Sequence, residues 1–414
     1  MMIATYIAVL QNVWLVLLGM AIIGTIASTV FLALVLIAAR RHRRIATQAQ
    51  AAADARDLSE FPRVTVLKPV HGMEPRLEQN LESFFQQDYP NFEIVFGTRT
   101  SEDPALRVIE KLRRRYPYVP VRIVLSGQPT WPNAKVFSLN LMIESSQSGY
   151  FVISDSDILV REDFLRNVIS PLLEPQNGLV TCLYEGVPAE DFWSEMEALG
   201  MSVEMPSGVM VADMMEGMQF ALGAVMAVRR DALDRIGGIG ATAEYYSDDF
   251  VLGQLVAQSG YKVVLSHHTV GHVLTTQSFG QTFKTQRRWM QSTRYSRPKG
   301  HLGTGLTFST PFGILGLVAA GALGYWPAAL GLFTWGYLNR VIQALVVGWG
   351  VIRDPSALAW CWLYPMRDLL GFVVWTTSYL GGSSFYWRGE VYRFTPGGRI
   401  VPERRRVESA STVA

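Results

Sequence analysis

The sequence predicts an α/β domain with a mostly parallel sheet, held between membrane segments. Three observations carry that expectation. Short apolar runs alternate with helix-period segments from about residue 62 to 276. Residues 1–39 contain no charged side chain, and a second charge-free run covers Leu302–Asn339. Apolar residues make up 49% and charged residues 17% of the 414 positions, against roughly 25% charged in an average soluble domain. That balance excludes a disordered chain. A net charge of +2 argues against a broadly basic nucleic-acid binder. Cys182 and Cys361 are the only cysteines, too few for a disulfide scaffold.

In chain order, Val13–Ala39 is long enough to cross a bilayer, which takes about 20 apolar residues. Arg40, Arg41, Arg43 and Arg44 follow at once, a stop-transfer flank placed on the cytoplasmic side. A signal peptide would carry its positive charge before a shorter run. These residues, 1–45, read as an anchor, and 46–61 as a polar, Ala-rich linker. Val64–Val70 is apolar and bounded by Pro and Gly, so a strand. Leu77, Leu81, Phe84 and Phe85 fall at helical spacing. Phe92–Thr98, Val121–Leu125 and Tyr150–Ser154 read as strands, Pro104–Arg115 and Val136–Ser146 as helices. A strand at Tyr261–Leu265 precedes His267, His268 and His272, which read as polar loop residues. They lack the helical spacing or Cys partners of a zinc site, and the sharper alternative sets one of them beside a metal or diphosphate. Residues 277–304 form a basic segment at the membrane surface. Membrane segments are expected near 306–325, 327–351 and 357–380 within 305–387, and 388–414 is a basic tail. Three such spans would put that tail outside, against the positive-inside bias. The segment holding Arg367 and Asp368 is therefore expected to lie in the interface or to re-enter.

The chemistry-bearing residues lie at the ends of these elements. Neither a Rossmann glycine motif nor a P-loop follows the first strand. Asp155 and Asp157 end the buried strand at spacing i, i+2, where they share one face and can converge on a hard divalent cation. A solvated turn is the plainer alternative. Glu102 and Asp103 follow the strand Phe92–Thr98; Asp103 before Pro104 is also a helix cap. Asp248 and Asp249 open a helix, and a carboxylate among other carboxylates is a candidate general base. Arg288 and Trp289 lie in a cation-rich stretch suited to a membrane surface or to a diphosphate leaving group. Seven methionines between Met196 and Met218 suggest helix core or an adaptable apolar groove.

In this order the motifs resemble the ceramide glucosyltransferases, family 21 of the glycosyltransferases, with the related bacterial hopanoid-linked enzymes. The matching residues are Leu67–Gly72, Asn80–Phe85, Asp88–Pro90, Ile153–Asp157, Val180–Tyr184, Gly223–Ala227, Asp248–Phe250 and Arg288–Trp289, with Trp387–Gly389 in the tail. The resemblance implies a GT-A fold, a Rossmann-like and mostly parallel sheet with one N-terminal and two to three C-terminal membrane helices. It implies inverting transfer of a hexose from a UDP-sugar to a membrane lipid, UDP-glucose to ceramide first. Transfer of N-acetylglucosamine to a hopanoid is the alternative within the class, and a lipid-binding scaffold on a dead transferase fold the one outside it. By position, Asp155 and Asp157 would hold Mg²⁺ or Mn²⁺, and Asp249, or else Asp248, would be the base. Lys68, Pro69, Glu102, Asp103, Lys135 and Ser156 would join the two metal ligands around the donor. Arg288 and Trp289 would close over the leaving group and acceptor. Thr285 stands where the family has Gln or Arg. The expected partners are the donor, the lipid and the inner membrane, with the catalytic domain facing the cytoplasm and no nucleic acid.

Overall fold

The computed structural model describes residues 2–276, 278–380, 382–387 and 390–403. The chain opens with helix α1 (Met2–Asp54). The α/β part then runs β1 (Val64–Pro69), α2 (Leu77–Phe85), β2 (Phe92–Thr98), α3 (Ala105–Arg115), β3 (Val121–Leu125), α4 (Ala134–Glu144), β4 (Tyr150–Ser154), β5 (Ile158–Leu159) and α5 (Phe164–Ile169). It continues with β6 (Asn177–Val187), α6 (Phe192–Glu216), β7 (Val225–Arg229), α7 (Arg230–Arg235), α8 (Asp248–Gln258) and β8 (Lys262–Val273). These strands form one sheet in the order β3-β2-β1-β4-β7-β6-β8-β5. The first four are parallel, β7 is antiparallel to both its neighbours, and β6 and β8 are again parallel. The order reverses between β1 and β4, where open sheets of this type hold ligands beyond the strand ends.

Alternation along the strands builds a core on each face of the sheet. Val64, Val66, Ile94, Phe96 and Val152 pack with α2, α3 and α5. Leu67, Val95, Phe151 and Ile153 pack with α4 and α6 on the other side. That second core also takes in Val35, Ala38 and Ala39 of α1. The apolar N-terminal run therefore splits its duty. Its first part keeps Val13, Val16, Met20, Ile23 and Ile26 exposed, and its last part packs on the domain. Helix α1 continues to Asp54, through most of the stretch expected as a linker. Alanine, glutamine and arginine are strong helix formers, and nothing between residues 40 and 54 breaks the helix.

The remainder comprises α9 (Phe279–Ser296), α10 (Pro298–Thr304), α11 (Thr310–Ala322), α12 (Trp326–Gln343) with a π-helical continuation to Ile352, α13 (Pro355–Ala359) and α14 (Tyr364–Thr377). A three-stranded antiparallel sheet follows: β9 (Ser384–Trp387), β10 (Glu390–Phe394) and β11 (Ile400–Pro402). Among the described residues, two helices are long and apolar enough to cross a membrane, Ala8–Asp54 and Trp326–Ile352. At about 1.5 Å per residue, α11 and α14 each reach only about 20 Å.

The two charges of α14 do not pair with one another. Asp368 meets Arg340 at 3.3 Å and accepts from the amides of Ser309 and Thr310 at 3.0 and 2.8 Å, capping α11. Arg367 meets Glu204 of α6 at 3.0 Å. The small C-terminal sheet packs on the catalytic side. Ile400 donates to the carbonyl of Glu244 at 2.8 Å, and Tyr246 is ringed by Phe385, Trp387 and Phe394. So part of the expected tail is a folded sheet. Arg388, Gly389, Arg404, Arg405 and Arg406 lie outside the described residues.

Candidate active site

The sheet edge beyond β1 and β4 opens into a cavity of about 590 Å³. Strand β4 is followed by a turn of Asp155, Ser156 and Asp157, all on the cavity wall. Beneath them lies Lys68, fully buried at the end of β1. Its Nζ donates to Ser154 Oγ at 3.2 Å and to the carbonyl of Asp155, and stands 3.8 Å over the Phe84 ring. Burial pushes Lys68 down to about 7, against the pull of Asp155 and Asp157. The lysine therefore holds the aspartate turn from below, and Pro69 carries the wall onward.

The two aspartates are held by different partners. Asp155 pairs with Lys135 at 2.5 Å. Burial raises the Asp155 carboxyl, with Lys135 opposing the shift. Burial works against the Lys135 charge too, but Asp155 and Asp248 keep it above the ordinary lysine value. Asp157 Oδ2 meets His272 Nε2 at 3.1 Å, while Oδ1 is buried with no hydrogen-bond partner. Burial would raise Asp157, yet His272 and Lys68 hold it below its usual value. An ionised carboxylate with one orphaned buried oxygen beside a second carboxylate is the donor set a hard divalent cation takes, with phosphate oxygens completing the shell. Among the described residues, no group of three or more such ligands gathers. The site thus fits a cation that a substrate helps to hold.

Across the cavity, Asp248 and Asp249 begin α8. Asp248 accepts from Asn133 Nδ2 at 3.3 Å. Burial pushes the Asp249 carboxyl up to about 7, and Asp248 adds to the shift. Room for Asp249 comes from Gly223, where a Cβ would lie 2.7 Å from Asp249 Oδ2. Helix α8 itself lies flush on the loop between α6 and β7: a Cβ on Gly253 would come within 2.2 Å of the Ala221 nitrogen. Asp249 also borders a second cavity of about 410 Å³, together with Met201, Met205 and Met290. Asp155, Gly223 and Trp289 are shared between the two. A polar chamber and a methionine-walled one thus meet at Asp249.

The structure gathers Pro69, Lys135, Asp155, Ser156, Asp157, Asp248, Asp249 and Trp289 on the first wall, with Lys68 beneath. It does not bring the other three to either cavity wall. Asp103 is buried behind it and accepts from Gly72 N at 3.0 Å and Ala105 N at 3.0 Å. Gly72, at φ +70°, turns the chain so that its amide faces that carboxylate. The capping alternative therefore describes Asp103, which reaches the cavity through His71, 3.4 Å away. Glu102 is exposed. Arg288 neighbours Trp289 on α9 but keeps its Nε buried and unpaired. The histidine triplet lies within β8, whose strand runs past the expected end, and His272 is the one that reaches Asp157. Met210 and Met218 are core residues rather than groove. Glu74 on the first wall, and Glu197 and Arg367 on the second, belong to none of the expected site sets, while Trp387 of the tail motif also reaches the first wall. No spacing signal marks Glu74, Glu197 and Arg367, because a loop and distant helices bring them in.

A family model described as glycosyl transferase family 21 matches residues 20–400. Ceramide glucosyltransferase 1 of Caenorhabditis elegans is 23% identical over 345 residues, covering 82% of this chain and 73% of that protein. The ceramide glucosyltransferase of Komagataella phaffii is 36% identical over 113 residues, 26% of this chain and 22% of the relative. Among solved structures, the mannosyltransferase PcManGT from Pyrobaculum calidifontis, in complex with GDP-Man and Mn²⁺, aligns with a TM-score of 0.46 at 20% identity. That alignment covers 84% of this chain and 99% of the neighbour.

Proposed function

Because the chain belongs to glycosyl transferase family 21, we propose that this GT-A glycosyltransferase moves a hexose from a UDP-sugar to a lipid hydroxyl, with inversion at the anomeric carbon. UDP-glucose and ceramide are the first pair, in keeping with the relatives' names. One observation carries the reading: Asp249, a carboxylate pushed up to about 7, stands where the polar cavity meets the methionine-walled one. A base so placed can reach an acceptor hydroxyl that enters from the apolar side while the donor lies on the polar side.

In this reading Asp249 takes the proton of the acceptor hydroxyl. The hydroxyl oxygen forms its new bond to the anomeric carbon from the face opposite the diphosphate. The bond to the diphosphate oxygen breaks, and UDP leaves with that electron pair. One displacement gives one inversion, so an α-linked donor gives a β product. Mg²⁺ or Mn²⁺, held by Asp157 and Asp155, would neutralise the charge of the departing diphosphate. Lys135 and His272 fix the two carboxylates, and Lys68 fixes their turn. Trp289 lies on both walls, where it can cover the reacting groups. The domain faces the cytoplasm of an inner membrane, with Arg40–Arg44 as the positive flank.

A screen of UDP-sugars against ceramide, hopanoid and other hydroxyl lipids tests this. Purified protein in detergent with Mg²⁺ or Mn²⁺ is expected to form β-linked hexosyl lipid, read by mass spectrometry and anomeric proton couplings. Cation-dependent cleavage of donor without any lipid product would overturn the acceptor assignment, and no cleavage at all would overturn the enzyme reading.

A further inference from the structure

The second cavity has polar groups that the transfer chemistry above leaves unused. Its floor is one face of α6: Glu197, Gly200, Met201, Glu204 and Met205 recur at i, i+3, i+4, i+7 and i+8. Arg367 of α14 enters opposite and meets Glu204 through Nη2 at 3.0 Å. Its Nε and Nη1 are buried without a hydrogen-bond partner, and so are both carboxylate oxygens of Glu197. Glu197 is 2% exposed and Arg367 8%. The two charges attract one another, but no hydrogen bond joins them.

The backbone is cut away to seat this arginine. A Cβ on Gly200 would fall 2.5 Å from Arg367 Nε, and one on Gly371 3.1 Å from Nη1. Both glycines lie inside helices, where glycine is otherwise unfavourable. Buried donors and acceptors left unmade are costly, so this cluster is explained by a ligand that completes it. Acids outnumber the one arginine here, since Asp155, Glu197, Glu204 and Asp249 share the wall with Arg367 and His272. A head group with a negative charge would be repelled.

We propose that Glu197 and Arg367 form the acceptor head-group subsite, selecting an uncharged lipid that presents a hydrogen-bond donor and a carbonyl or hydroxyl acceptor beside its reacting hydroxyl. The inference rests on the transfer reading above. Glu197 accepts from the amide N–H or second hydroxyl of the lipid. Arg367 donates to its carbonyl through Nε and Nη1. Met201, Met205 and Met290 take the start of the apolar chains. A secondary amide flanked by hydroxyls, the head group of a ceramide, satisfies both partners at once, whereas a lone alcohol satisfies one.

The test uses full-length protein in detergent, with N-hexanoyl sphingosine and its N-methyl analogue, which lacks the amide N–H. Two variants are made. Glu197→Met removes a buried charge without adding one, and Arg367→Lys keeps a cation for Glu204 but loses the forked donors. Each is expected to raise the acceptor KM at least about tenfold, with donor KM held within about twofold. In Glu197→Met the preference for the N–H lipid over its N-methyl analogue should collapse. Binding of a fluorescent short-chain ceramide in the absence of donor should weaken in parallel. Unchanged acceptor KM and retained discrimination in both variants, with wild-type transfer intact, would overturn the subsite alone. Failure of the wild type to glycosylate either lipid would overturn the transfer reading and the subsite with it.

Discussion

At the scale of single residues, Asp249 carries the strongest consequence. Its native carboxyl is raised from 3.8 to about 7, mainly by burial and then by Asp248. The base works only when ionised, so kcat/KM is expected to rise about tenfold per pH unit on the acid side and level off above about 7. A flat profile from pH 5 to 8 would remove Asp249 as the base. Asp249→Asn keeps the shape and should leave donor binding intact while turnover falls by about 10²–10⁴-fold, the usual worth of a general base. The same shift acts on stability with a definite sign. Between 3.8 and about 7 the native state holds a proton that the unfolded chain has lost, so stability falls as pH rises through that window. Asp249→Asn should therefore melt at a higher temperature than the wild type at pH 8, with the gap closing towards pH 4. Thermal melts at both pH values check this, and a variant that melts lower at pH 8 would contradict it.

At the scale of elements, the site depends on how closely α8 lies on residues 220–223. Gly253 permits that contact, since any Cβ there would meet backbone, which cannot rotate away. Gly253→Ala should push α8 back, cost about 1–3 kcal/mol of stability as overpacking does, and lower turnover more than donor affinity. Denaturation and steady-state kinetics read the two effects separately; unaltered kinetics would show that Asp249 does not depend on this contact. The elements also show what could be read from the sequence. Strands β2, β3 and β4 match the expected runs because their apolar length and flanking turns are local signals. The D-x-D turn and the acids opening α8 were visible for the same reason. Strand β8 runs past the expected Leu265 because its pairing with β6 resumes at Thr269, after an irregularity at Ser266–His268, and continues to Val273. Asp103 was ambiguous because a capping aspartate and a ligand-binding one have the same sequence pattern. Glu197 and Arg367 were illegible: they are 170 positions apart by numbering and meet only through the packing of α6 against α14.

For the whole molecule, the contacts of α1 bear on where a bilayer would lie. Ser28 meets Ser309 at 3.2 Å and accepts at its carbonyl from Asn339 at 3.4 Å, close to where Arg340 and Asp368 pair. Beyond Ser28, residues Val35, Ala38 and Ala39 belong to the catalytic core. We propose that the polar knot around Arg340 and Asp368 marks the inner boundary of the bilayer, where such charges are tolerable. Helix α11 lies beside α1, where Phe312 meets Gly24, and in this proposal it runs outward with the residues up to Tyr325. Helix α12 brings the chain back. Such a hairpin would add no net crossing, and the parity conflict would then need no span through Arg367 and Asp368. It also agrees with β11, whose Ile400 bonds to Glu244 on the catalytic side. The expected topology puts residue 325 outside and residue 396 in the cytoplasm. In a Cys182→Ser, Cys361→Ser background, Tyr325→Cys should react with an impermeant maleimide in intact cells, and Pro396→Cys only in inverted vesicles. Labelling of residue 396 from the outer face would require an odd number of crossings after the catalytic domain, and the contact between β11 and that domain could not then exist in the membrane.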